Sequence, residues 1–163
     1  MVEKPPPSPP VPDTYKIVVG IDYEKPSELA LSTALSTALY RDGQVYAITV
    51  AEGDMPSRPE ELSEELHKKF LEEAQATLER YLSEQIAEYE KSGFKINRKR
   101  VGAAVDFGKP ADAILELARE VEADLIVVGT HGKRGLERLL VGSVAEEVLK
   151  GAHCPVLVLR DKP

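Results

Sequence analysis

Asp124-Leu-Ile-Val-Val128 and the stretch that follows it, Gly129-Thr-His-Gly132-Lys-Arg-Gly-Leu-Glu-Arg-Leu-Leu-Val-Gly142-Ser143, decide how this 163-residue chain is read. The apolar run reads as a buried strand. Val144-Ala-Glu-Glu-Val-Leu149 reads as the start of a helix. Between them, two glycines sit three apart, a third lies ten further on, and a hydroxyl residue follows it. Glycine lets backbone N–H groups approach a ligand closely and permits positive φ. At Ser143, unpaired amides and the helix dipole favour an anion. A strand, a glycine loop and a helix amino terminus together form a plausible phosphate cradle.

The spacing excludes two better-known phosphate loops. No Lys-Ser or Lys-Thr follows the last glycine, so it is not G-x-x-x-x-G-K-[ST]. The first two glycines are separated by two residues, so it is not G-x-G-x-x-G. The pattern G-x2-G-x9-G-[ST] instead resembles that of the nucleotide-binding universal stress proteins. The resemblance extends over roughly residues 14 to 160. It takes in Lys16-Ile-Val-Val-Gly-Ile-Asp22, Gly108-Lys-Pro-Ala-Asp-Ala-Ile114 and Ala152-His-Cys-Pro-Val-Leu-Val-Leu159. Taken alone, the glycines would also suit tight turns.

Composition narrows the choice of partner. The length suits one domain with a single core. A formal net charge of −7 argues against a general nucleic-acid binder. A lone cysteine, Cys154, excludes an intramolecular disulfide and a multi-cysteine zinc site. His67, His131 and His153 lack metal-ligand spacing. No apolar run approaches a membrane span, and the start has no signal-peptide core. The expectation is a soluble cytoplasmic protein with no membrane partner.

Residues 1–13 hold six prolines and are expected to form an extended tail ahead of a domain over 14–163. The domain then alternates strand and helix. Strands are expected over Ile17–Ile21, Val45–Val50, Ile96–Val105, Leu125–Val128 and Val156–Leu159. Helices are expected over Pro26–Tyr40, Glu60–Lys91, Pro110–Glu120 and Ser143–Lys150. Leu31, Ala34, Leu35, Ala38 and Leu39 give the first helix its apolar face. Leu62, Leu66, Leu71, Ala74, Leu78, Leu82 and Ile86 give the second its stripe. Arg98, Lys99 and Arg100 are expected either to protect an exposed edge strand or to pair with the neighbouring acidic helix.

Such alternation implies right-handed crossovers and a mostly parallel sheet covered on both faces. The resemblance implies the rest of the architecture: a single-domain α/β three-layer sandwich of adenine nucleotide alpha hydrolase-like type. Its five strands would run in the order 3-2-1-4-5. Ligands of open α/β sheets bind beyond the carboxyl ends of strands, where the winding reverses. In that order the point lies between strands one and four, so Gly20-Ile21-Asp22 and Gly129 face one crevice.

The predicted nucleotide-binding residues are Gly20, Ile21, Asp22, Val50, Gly129, Thr130, Gly132, Gly142, Ser143 and Val144. Asp22 would repel phosphate, so it belongs at the nucleoside end, accepting from an adenine amino group or a ribose hydroxyl; a plain turn residue is the alternative. Val50 matches the family position whose backbone meets the base. Gly129, Gly132 and Gly142 would line sugar and phosphates. Ser143 would donate through hydroxyl and amide, unless it simply caps the last helix. Lys133 and Arg134 would screen the terminal phosphates or lie solvated. His131 reads as a loop residue and Cys154 as a buried one.

The ligand implied is ATP, ADP or AMP, with Mg2+ where the phosphates need it. The resemblance also implies a homodimer paired through Pro155–Leu159. No Ser-Gly-Gly-x-Asp-Ser loop and no His-x-Gly-His motif occurs, and no nucleophile or general base accompanies the cradle. A stress-response sensor or regulator is therefore expected. A slow ATP hydrolase or self-phosphorylating enzyme is the first alternative and a nucleotide-free dimeric adaptor the second. Tyr23-Glu24-Lys25-Pro26 replaces the small, serine-containing turn typical of the family after the first aspartate.

Overall fold

Ile17, Val18 and Val19 have no exposed surface, which marks their strand as the centre of a sheet covered on both faces. A computed structural model describes residues 14–51, 64–130 and 142–161. The central strand β1 is Lys16–Gly20, and the others are β2 (Gln44–Ala51), β3 (Val101–Phe107), β4 (Leu125–Thr130) and β5 (Val156–Arg160). All pairings are parallel, and the order is β3-β2-β1-β4-β5. The helices are α1 (Lys25–Arg41), α2 (Glu64–Glu90), α3 (Pro110–Glu120) and α4 (Ser143–Gly151).

Alternation along β1 divides the core in two. Ile17 and Val19 pack with Leu31 and Leu35 of α1 and with Leu78, Leu82 and Ile86 of α2. Val18 packs on the other face with Ile114 and Ala118 of α3 and Val148 of α4. Each fully buried side chain of this size contributes about 1.5–3 kcal/mol. The helix α3 shows how sequence places an element. Pro110 suits the first turn, and Ala111, Ile114, Leu115 and Ala118 recur on one buried face. Gly108, at φ +101°, makes the turn ahead of it.

Two expectations are corrected. Residues 96–100 do not join β3. The Glu90 side chain accepts from the Ile96 amide (3.1 Å), and the Asn97 side chain accepts from Lys99 N (3.2 Å). These bonds draw the backbone into a 3-10 turn over Arg98–Arg100, and the strand begins at Val101. The basic residues therefore do not protect a strand edge. Arg98 instead pairs with Glu90 of the acidic helix (3.4 Å), and Arg100 pairs with Asp42 (2.7 Å). The apolar stripes are also shorter than periodicity suggests. Leu39 and Leu66 are exposed, because each lies beyond the part of its helix that covers the sheet. The expected tail over residues 1–13, Leu62 and the start of the second helix at Glu60 lie outside the described residues.

Candidate functional site

Among the described residues, the buried polar side chains are Ser27, Thr49 and Thr130. All three lie at or just beyond the carboxyl ends of the central strands, and each holds a piece of backbone in place. Ile21 N donates to the Ile48 carbonyl (2.8 Å), and Thr49 Oγ1 donates to the Ile21 carbonyl (2.9 Å). These bonds tie the end of β1 to β2. The chain then turns away. Asp22 Oδ1 accepts from Glu24 N (2.9 Å), an Asx turn, while Ser27 Oγ donates to the Glu24 carbonyl (2.9 Å) and accepts from Asp22 N (3.4 Å). Tyr23, within this turn, takes the left-handed φ of 63°. Asp22 is left exposed.

The opposite wall comes from β4. Gly129 lies against the first turn of α1: a Cβ there would meet the Pro26 carbonyl carbon at 2.6 Å. Gly20 is similarly close to Ile114 of α3, at 2.9 Å. Helix packing thus requires Gly129, where the neighbour is backbone, whereas at Gly20 the neighbour is only the tip of the Ile114 side chain. Thr130 Oγ1 accepts from Gly142 N at 2.8 Å. That bond seats the amino terminus of α4 directly on the end of β4.

Gly142 is the N-cap of α4, and no side chain caps this helix. Ser143 is the first helical residue, so the simple capping role considered for it falls to Gly142. The first-turn amides of a helix have no intrahelical partner. Ser143 and Val144 therefore present N–H groups and a positive dipole end beside Thr130. Val50 completes the rim. In a parallel sheet the N–H and C=O of one residue point to the same neighbour, and alternate residues point to opposite ones. Ile48 points to β1, so Val50 does too, at a level where β1 has already left the sheet.

The structure thus brings Gly20, Ile21, Asp22, Val50, Gly129, Thr130, Gly142, Ser143 and Val144 to one end of the sheet. Gly132, with His131, Lys133 and Arg134, lies outside the described residues. No cluster of three or more His, Cys, Asp or Glu suited to a metal occurs among the described residues. No described helix is long and apolar enough to cross a membrane. His67 packs against the Phe107 ring at 4.7 Å. Cys154 is partly buried in the α3–α4 layer, where burial and then the Asp124 charge push its thiol up.

Sequence reading passed over Ser27, Thr49 and Tyr81. Thr49 carried a signal, a hydroxyl at the apolar end of β2. Tyr81 carried none, since only tertiary packing sets its ring against Tyr23, with centroids 5.0 Å apart.

Known proteins share this fold. The model of the universal stress protein family matches residues 14–160. A universal stress protein of Methanocaldococcus jannaschii is 43% identical over 147 residues, covering 89% of this chain and 81% of its own. Among solved structures, a universal stress protein from Archaeoglobus fulgidus in complex with dAMP is 26% identical, with a TM-score of 0.58; the match covers 89% of this chain and 97% of that one. A universal stress protein in complex with cAMP is 25% identical, with a TM-score of 0.59, over 91% of this chain and 98% of the other.

Proposed function

This chain belongs to the universal stress protein family, and from that premise we propose that it is a cytoplasmic stress-response regulator that binds an adenine nucleotide, ATP foremost, between Asp22 and the amino terminus of α4. One observation carries the reading. The hydrogen bond from Gly142 N to Thr130 Oγ1 sets an uncapped helix amino terminus on one side of the crevice whose other side holds a carboxylate. An anion fits the first end and a hydrogen-bond donor the second. A nucleotide carries both, and relatives in complex with cAMP and dAMP support the same class of ligand.

In this reading the Ser143 and Val144 amides, with the Ser143 hydroxyl, hold phosphate. Gly129, Gly132 and Gly142 line the sugar and phosphates, and the Val50 backbone meets the base. Asp22 stays with the nucleoside, and Mg2+ accompanies the triphosphate. No recognisable catalytic motif accompanies the crevice, and in this reading occupancy rather than turnover carries the signal. Identification of the nucleotide that co-purifies, followed over time with and without Mg2+, tests this. Retained ATP is expected. Steady conversion to ADP would make the protein a slow hydrolase, and an empty site that takes up no ATP would leave an adaptor.

The reading includes a homodimer through β5. Among the described residues that strand pairs only with β4, and Leu157 on it is 37% exposed. An apolar edge is normally covered, and two-fold pairing of one strand does so symmetrically. Sedimentation should give twice the chain mass, and Val158→Lys should halve it. A wild-type monomer at micromolar concentration contradicts the dimer.

A further inference from the structure

A cleft of about 180 Å³ lies at the amino ends of the strands, between the end of α1 and the segment that leads into β3. Leu35, Ala38, Leu39, Val45, Ile96 and Val101 form its apolar lining. Leu39 is 38% exposed, and the next residue, Tyr40, is 84% exposed. Concave apolar surface with exposed apolar residues beside it marks a place where another segment binds. The side chains on the rim narrow the choice. Arg100 and Asp42 are engaged with each other (2.7 Å). Asn97 Oδ1 already accepts from Lys99 N (3.2 Å), so the Asn97 NH2 group and the Lys95 ammonium are the rim's remaining side-chain donors. The segment that fits is therefore apolar, rich in acceptors and poor in donors.

The chain carries such a segment next to the cleft. Pro5-Pro6-Pro7-Ser8-Pro9-Pro10-Val11-Pro12 offers apolar rings and backbone carbonyls, and its prolines have no N–H. The segment enters the fold through Tyr15, whose carbonyl accepts from Gln44 N at 2.8 Å. Gly43 lines the cleft, and a Cβ there would meet that same carbonyl at 2.6 Å. Tyr15 also packs against the core cluster that includes Leu35 and Val45. Pro12 precedes Tyr15 by three residues and Pro5 by ten, which at 3.1 Å per residue gives a reach of roughly 10–30 Å. So short a tether holds the prolines at an effective concentration on the order of millimolar, where even a weak contact is populated. We propose that the proline run of residues 5–12 docks in this cleft of its own chain, with Lys95 and Asn97 donating to its carbonyls. The contact is independent of the nucleotide reading, and it covers Leu39 and Ile96 against other chains.

Paramagnetic relaxation in the full chain tests the contact. A nitroxide is attached at Ser8→Cys in a 15N-labelled chain that also carries Cys154→Ser. At a millimolar effective concentration the Leu39, Gly43 and Ile96 amides should lose about half of their signal or more, while Val50 and Thr130 at the other end of the sheet keep theirs. Leu39→Glu, at the cleft's exposed edge, should restore the lost signal. So should Pro6→Ser, Pro7→Ser, Pro9→Ser and Pro10→Ser combined, which leave the cleft untouched. Equal broadening at both ends of the sheet would overturn the proposal, as would broadening at the cleft that survives the combined proline substitutions. A mixture of unlabelled nitroxide chain with 15N chain lacking the nitroxide should show no broadening. Broadening there would seat the prolines on a second copy and overturn the contact within one chain.

Discussion

At the amino ends of the strands the chain satisfies its own polar groups, whereas at the carboxyl ends it leaves donors open. Asp124 exchanges two bonds with Lys16, each 2.8 Å. Arg100 donates to the Asp42 carbonyl that ends α1, at 2.6 Å, and pairs with its carboxylate. Arg41 covers the Tyr15 ring at 4.6 Å. The apolar cleft there, lined by Leu35, Ala38, Leu39, Ile96 and Val101, is flanked by that closed Arg100–Asp42 pair. At the other end, α1, α3 and α4 all begin without a side-chain cap. Both ends are built from the same strands. They differ in whether the chain supplies the partners, and the end that does not is the one where we propose the ligand.

The contrast breaks most visibly at Gly129. A valine there would drive Cβ into Pro26 backbone and disturb the first turn of α1. Gly129→Val should cost about 2 kcal/mol, lowering the melting temperature by roughly 4–8 °C. Thermal unfolding followed by circular dichroism measures it, and an unchanged midpoint would show that α1 can retreat freely. Thr130→Val is a gentler test. It leaves the Gly142 amide without its acceptor, at a cost of about 1–2 kcal/mol. Because it also loosens the α4 terminus, ATP affinity should fall about fivefold. Loss of stability with full affinity would separate the clasp from the site.

The amino end should answer differently. The Ile96 amide, then Arg98, holds the Glu90 carboxyl below its ordinary value. A lowered folded value stabilises the protein above the ordinary glutamate range. The effect fades as pH falls through the lowered value. Glu90→Gln should therefore slightly flatten the acid limb of the melting temperature against pH, with ATP affinity unchanged at neutral pH. A change in affinity would mean that the two ends are coupled.

Much of this division was legible in the chain itself. Pro110–Glu120 falls where periodicity and Pro110 put it, and the strand–glycine–helix passage around Gly129 and Ser143 fixes which end carries the crevice. The strand order was not legible in spacing; it came with the family resemblance. The edge at 96–100 was misread because Glu90 and Asn97 bind its backbone, and side-chain capture of this kind leaves no period. Ser143 became a first-turn residue because Gly142 takes the cap position with its amide on Thr130, a contact across the whole glycine loop. Tyr81 was invisible for the same reason. Its contacts are with Tyr23 and Ser27, which precede it by more than fifty residues.

The central claim is that the open end of the sheet selects an adenine nucleotide. Titration of nucleotide-free protein with ATP and GTP, read as a shift in melting temperature at equal concentration, tests it most directly. A ligand that binds only the folded state raises apparent stability as its concentration exceeds Kd. ATP should raise the midpoint well above the GTP value, and Asp22→Ala should narrow that gap. Equal shifts with both nucleotides, or no shift with either, would contradict it.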